Sequence, residues 1–155
     1  MKTYLLDTFR FNDLANRKML AKIQSLPEPA ECVRYFSHLI HSQNKWLARI
    51  EQRPGNATLS WWEPTHALAD LEAAWTASLE AWLHFLDSMP AAALEGYVSF
   101  TGYDGALWEA RIVDIALQLN YHSIHHRAQM QTLIRAQGLE PDFIDYIGTR
   151  YRRIG

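Results

Sequence analysis

Cysteine is nearly absent, with Cys32 standing alone in 155 residues. No internal disulfide can form, which excludes a stapled secreted scaffold and makes a reducing cytoplasm the expected setting. A lone thiol near a helix start reads as inert rather than nucleophilic. Charge of one sign is also scarce: 15 Lys and Arg against 17 Asp and Glu leave a formal net charge of −2. That excludes a global basic surface for nucleic acid, and the short run Arg150–Tyr151–Arg152–Arg153 reads as a solvated tail. No uninterrupted apolar run approaches membrane-spanning length. The N-terminus lacks the basic-then-apolar pattern of a secretory signal. Repeats and low-complexity linkers are missing too. What is present is a chain 48% hydrophobic and 12% aromatic, too apolar for disorder. Its length suits one domain over residues 1–155 with a core that needs no covalent staples.

Apolar periodicity predicts four long helices. The first runs from about Thr3 to Leu26, with Leu6, Phe9, Asp13, Asn16, Leu20 and Ile23 at helical spacing, so its inner stripe carries two polar groups. Pro27–Glu28–Pro29 stops it. The second spans about Ala30 to Gln52 and ends before Pro54–Gly55. A loop containing Trp61 and Trp62 follows. Thr65 is placed to cap a third helix from His66 to about Ser88, which Met89–Pro90 closes. The period then changes: 97–101 and 106–110 read as strands, with Asp104–Gly105 as the turn between them. The fourth helix runs from about Ile112 to Gln137, with Gly138 as its C-terminal glycine, and Pro141 to Tyr151 can form a short extra helix. The expected fold is all-α, a four-helix bundle with a small β-hairpin between helices 3 and 4.

Five of the seven histidines fall in two clusters, His38 and His41 on the second helix and His122, His125 and His126 on the fourth. His122 and His126 are four apart and share a face with Ile115, Leu119, Met130 and Leu133, which turns both inward. Two inward imidazoles at this spacing can offer two nitrogens to one metal. The competing reading is a pair of buried histidines that find hydrogen-bond partners in the core. A third ligand would come from another helix. His38 lies beside the apolar arc of the second helix and His41 points further from it, so the wheel favours His38 without excluding His41.

The stretch His38–Leu39–Ile40–His41–Ser42–Gln43–Asn44–Lys45–Trp46–Leu47–Ala48–Arg49 resembles the second-helix motif of the DinB family, a histidine eight residues before a tryptophan that is followed by Leu-x-Arg. The stretch from Asn120 to Gln129 is similar to the family's fourth-helix motif, a histidine, three residues, then His-Arg-Gly-Gln. Asn12 and Ala15–Asn16–Arg17 match the first-helix pattern, and the Asp104–Gly105 hairpin with Trp108 and Asp142–Phe143–Ile144 fit as well. The resemblance implies His38, His122 and His126 as the metal ligands. There are departures: Gln118 stands where the family often has another histidine, Ala128 replaces the glycine, and Gln43 and Asn44 replace a common acidic residue.

The resemblance also implies chemistry. Three neutral imidazoles leave a coordination position open, and zinc or nickel, with iron or manganese behind them, would suit the set. The wider DinB/YfiT-like superfamily includes transferases that use a low-molecular-weight thiol, so a metal-dependent thiol S-transferase acting on a small electrophilic molecule is the leading expectation. Asn16, His41, Gln118, His125 and Gln129 are the candidate pocket or supporting residues. The alternatives are a metal-dependent hydrolase, for which no carboxylate stands out as general base, and a non-enzymatic metal-binding stress or sensor protein. The family further implies a homodimer.

Overall fold

The computed structural model describes residues 1–155. Its long helices are α1 (Lys2–Ile23), α2 (Ala30–Ile50), α3 (Leu71–Ser88) and α4 (Ile112–Ala136). Between α3 and α4 lies an antiparallel hairpin of β1 (Tyr97–Thr101) and β2 (Leu107–Arg111), in register from Tyr97 opposite Arg111 to Thr101 opposite Leu107. The fold is therefore the expected four-helix bundle with one hairpin. No helix is long and apolar enough to cross a membrane.

Local chemistry sets the element ends. Pro27 and Pro29 bracket the break between α1 and α2, where a missing N–H and a fixed φ discourage helix continuation. At the far end of α4, Gly138 takes φ +80, and Leu139 N donates back to Ile134 O at 3.3 Å, closing the last turn as C-terminal glycines do. Three boundaries differ from expectation. Thr65 caps nothing, and α3 begins only at Leu71. The chain before it is tied to α2 instead, because His66 N donates to Ser37 Oγ at 3.1 Å. The second strand starts one residue late because Ala106 N donates to Asp104 Oδ1 at 3.1 Å inside the turn. Past Pro141 the only helical structure is a single 3₁₀ turn at Tyr146–Thr149.

Around the bundle, α4 packs against both α1 and α2, and α3 does the same from the other side. The sequence neighbours α1 and α2 lie diagonally and barely touch. So α4 has two working faces, one toward α2 and one toward α1. The core divides instead along the length of the bundle, each part drawing on all four helices. One apolar cluster gathers around Phe9, Trp82, Leu86 and Leu119, and the other around Phe36, Trp75, Met130 and Ile134. In each helix the residues between the clusters are buried and polar: Asn12 and Asn16, Ser42 and Gln43, Ser78, then Ser123, His126 and Arg127. This belt is satisfied largely within itself, as when Ser78 Oγ donates to Gln43 Oε1 at 2.9 Å and Trp82 Nε1 to Gln43 O at 2.9 Å. Gln43, read from sequence as a lost acidic site residue, thus serves the bundle interior. On α1 the inward polar pair is Asn12 and Asn16 rather than Asp13 and Asn16. Asp13 is half-buried and accepts from Trp75 Nε1 at 2.9 Å and Arg17 Nε at 2.8 Å.

Candidate metal centre

The polar belt opens into a histidine site where α2 faces α4. His38 and His126 are 6% exposed and His122 is half-buried. His122 Nε2 lies 3.0 Å from His38 Nε2 and 2.9 Å from His126 Nε2, and one ligating nitrogen from each ring falls within 4.8 Å of the others. The rings meet nearly edge to face, at 76° to 87°. Their ligating edges therefore converge on a shared point, and the planes do not stack.

Hydrogen bonds decide which nitrogens are free. His38 Nδ1 sits 2.6 Å from the carbonyl of Trp61, an acceptor only, so Nδ1 carries the proton and Nε2 presents a lone pair. His126 Nδ1 is 2.6 Å from Gln129 Oε1, with the same result. Such outer partners are what orient metal-bound imidazoles and raise their basicity. His122 Nε2 then faces two bare nitrogens, and a single proton on it can serve only one of them at a time. A cation serves all three, and a tetrahedral zinc with ~2.1 Å bonds would hold its ligands about 3.4 Å apart. The donor set fits a divalent metal.

Electrostatics agrees. Burial, joined by the neighbouring His126, His41 and Arg34, pushes His38 down from 6.5 to about 4, against the pull of the Trp61 carbonyl. Burial and the positive fields of His126, His38 and His125 bring His122 to about 4 as well. His126 is lowered by burial, partly offset by Gln129. All three are neutral near pH 7, as ligation requires. Cys32 stays out of the chemistry: it is buried, and burial with nearby Glu31 pushes its thiol up to about 11.

The segment between α2 and α3 forms the roof, and α2 fastens it through one stripe of side chains. Ser37 Oγ accepts from His66 N, His38 Nδ1 reaches Trp61 O, His41 Nε2 reaches Pro64 O at 2.8 Å, and Lys45 Nζ donates to Leu59 O and to Ala57 O at 3.4 Å. Trp62 stacks on His38 with centroids 3.7 Å apart and planes 7° apart, and the Arg34 guanidinium lies 4.7 Å from the centre of the same ring. Lys45 and Arg49 lie 4.7 Å and 5.2 Å from the ring centre of Trp61. The fastening residue Lys45 was not singled out as a site residue in the sequence. The signal was there, in the row Ser37, His38, His41, Lys45 at turn spacing.

The remaining candidates sort by face. His41 holds the roof and does not reach the triad. Gln129 orients His126. Gln118 is exposed on α4 and lines a cavity of about 250 Å³ beside the triad, with His38, Ser42, Trp46, Trp61, Leu119 and His122. His125 is exposed at the rim, its ring 5.0 Å from His126. Asn16 belongs to the other face of α4, where its Nδ2 donates to Ser123 Oγ at 3.0 Å and its Oδ1 accepts from Arg127 at 3.0 Å. It is fully buried between α1 and α4, so it cannot orient a ligand at the triad. Arg127 is likewise an interhelix residue, 3% exposed and not a surface group.

No curated protein and no solved structure matches the chain. The family model of the DinB superfamily matches residues 23–130, a span that takes in α2, α3, the hairpin and all three triad histidines. With that match covering more than half of the sequence, the chain belongs to the DinB superfamily.

Proposed function

We propose that His38, His122 and His126 hold one divalent metal, zinc or nickel before iron or manganese, and that the protein transfers a low-molecular-weight thiol to a small electrophile. The observation that carries this reading is the cavity beside the triad. Its lining contains two of the three histidines, Trp46, Trp61 and Leu119, with only Ser42 and Gln118 as other polar groups and no carboxylate. A divalent ion held there by three neutral imidazoles would lower the pKa of a bound thiol or water. With no acidic ligand, the site keeps the whole dication charge and favours an anionic fourth partner such as a thiolate. Hydrolysis asks for a general base within reach of water, and the cavity lining supplies none.

This chain's residues then have distinct tasks. Trp61 and Gln129 fix the proton on the far nitrogens of His38 and His126 and so keep the ligating edges bare. Trp46, Trp61 and Leu119 give the electrophile an apolar bed. Gln118, at the open side, donates or accepts one hydrogen bond to it. In the transfer, the sulfur forms a bond to carbon, the leaving group departs with its electron pair, and the thiol proton passes to solvent. The test is turnover of a haloarene with a panel of small thiols by metal-loaded protein. Thiol-dependent release of halide that is lost in His122→Ala is the expected result. Hydrolysis of an activated ester without thiol would favour the hydrolase, and no turnover of either substrate by fully loaded protein would favour a metal-binding sensor.

A further inference from the structure

The second face of α4 carries a different feature. Arg127 is buried between α1 and α4, yet no carboxylate pairs with it. Its three polar partners are Asn12 Oδ1, Asn16 Oδ1 and Ser123 Oγ, and all take their hydrogen bonds from Nη1 alone. Nε and Nη2 have no protein partner, although a guanidinium offers five N–H donors. A guanidinium is a cation at neutral pH. The side chain lines a cavity of about 200 Å³ whose wall contains no acidic residue.

Two more polar atoms of that wall are orphaned. Asn12 Nδ2 and Asn120 Oδ1 are buried and unpartnered. Neither amide can be turned over to cure this. Asn12 must present its oxygen to Arg127, which only donates, and Asn120 must present its nitrogen to Ala116 O, which only accepts, at 3.1 Å. Buried polar groups without partners destabilise the folded state; a carboxylate oxygen can accept from Asn12 Nδ2, whereas Asn120 Oδ1, itself an acceptor, needs a donor such as water. Around this polar floor the side chains are apolar and exposed: Tyr4 at 49%, Tyr121 at 60% and Ile124 at 51%. The space is comparable with the roughly 150 Å³ that accepts a benzene ring in an engineered cavity.

We propose that this groove between α1 and α4 binds a small carboxylic acid with an aromatic or short aliphatic body. The carboxylate pairs with the free edge of the Arg127 guanidinium, and the body lies against Tyr4, Tyr121 and Ile124. The site does not depend on the histidine centre. His122 and His126 face α2, whereas Arg127 bonds to α1. The neighbouring compartment, which Arg127 also lines, holds Glu140, Asp142 and Asp145, which would repel an anion, so the ligand sits at the Asn12–Asn120 end.

The probe is benzoate, with benzamide as its neutral counterpart, titrated into the full chain with and without zinc. The readout is the NMR signals of the Arg127 Nε–H and of the Asn12 and Asn120 side-chain amides. Saturable benzoate shifts at all three residues are expected, identical with and without zinc, with benzamide weaker by at least about tenfold. Arg127→Met should abolish them. Should that variant fail to fold, Ile124→Trp crowds the groove from an exposed position and should weaken benzoate at least about tenfold with Arg127 intact. Equal binding of benzoate and benzamide, shifts confined to the triad histidines, or no saturable response would overturn the proposal. So would a stable dimer in sedimentation that shields Tyr4, Tyr121 and Ile124.

Discussion

At the scale of single residues, the centre is defined by which nitrogen of each ring is free. His126 is tied by Gln129 at 2.6 Å and His38 by the Trp61 carbonyl at 2.6 Å. Gln129→Leu removes the first tie and leaves all three imidazoles in place, so metal should still bind at one equivalent with an affinity about 10–100-fold lower, measured by competition with a chelator. His122→Ala should strip the metal from purified protein, because its Nε2 lies within 3.0 Å of both other nitrogens. His41→Ala should keep it, since that ring serves Pro64 O instead. Full metal content in His38→Ala would move the third ligand elsewhere. The wheel and the family pattern together made the triad legible. Which helix Asn16 and Arg127 bond across to was not, because helical spacing shows which face of a helix a residue lies on but not which neighbouring helix it meets.

Single elements carry the next level of the account. α2 does two jobs with one stripe, ligation through His38 and fastening of the roof through Ser37, His41 and Lys45. Trp62→Ala removes the ring stacked on His38. Hydrogen exchange in residues 57–66 should accelerate in that variant, with that of α2 unchanged, and metal affinity should fall. In α3, Trp75 is fully buried and bonds Asp13 across to α1. Trp75→Ala should cost about 3–5 kcal/mol in urea unfolding while the folded protein retains one metal. Periodicity read the helices and the hairpin to within a few residues because amphipathic stripes, Pro27, Pro29 and Gly138 are local signals. It misplaced the start of α3 because the competing bond, His66 N to Ser37 Oγ, joins residues far apart in sequence.

For the whole molecule, the polar belt between two apolar clusters links stability to protons and metal. His38 and His122 titrate near 6.5 when unfolded and near 4 in the folded, metal-free protein, chiefly through burial. Between those values the unfolded chain binds more protons. Their contribution is therefore fully present above about pH 6.5 and is lost as pH falls toward about 4, a change on the order of a few kcal/mol. Urea midpoints of metal-free protein should fall across that window. Metal affinity of the folded protein should fall less between pH 7 and about 5 than three ordinary imidazoles would allow, because His38 and His122 stay neutral to about 4 and burial lowers His126 as well. Loading the site should raise the melting temperature by mass action. The bundle class was readable from four periodic segments. The diagonal placement of α1 and α2, which gives α4 one face for the histidines and another for Arg127, was not, since periodicity says nothing of which helices are neighbours.

X-ray absorption spectroscopy of protein loaded with one equivalent of zinc tests the convergence most directly. Three imidazole nitrogens at about 2.0–2.1 Å with one exchangeable oxygen ligand are expected, and the imidazole scattering should drop in His122→Ala. A shell with fewer than three imidazoles, or one unchanged in that variant, would contradict a centre built from His38, His122 and His126.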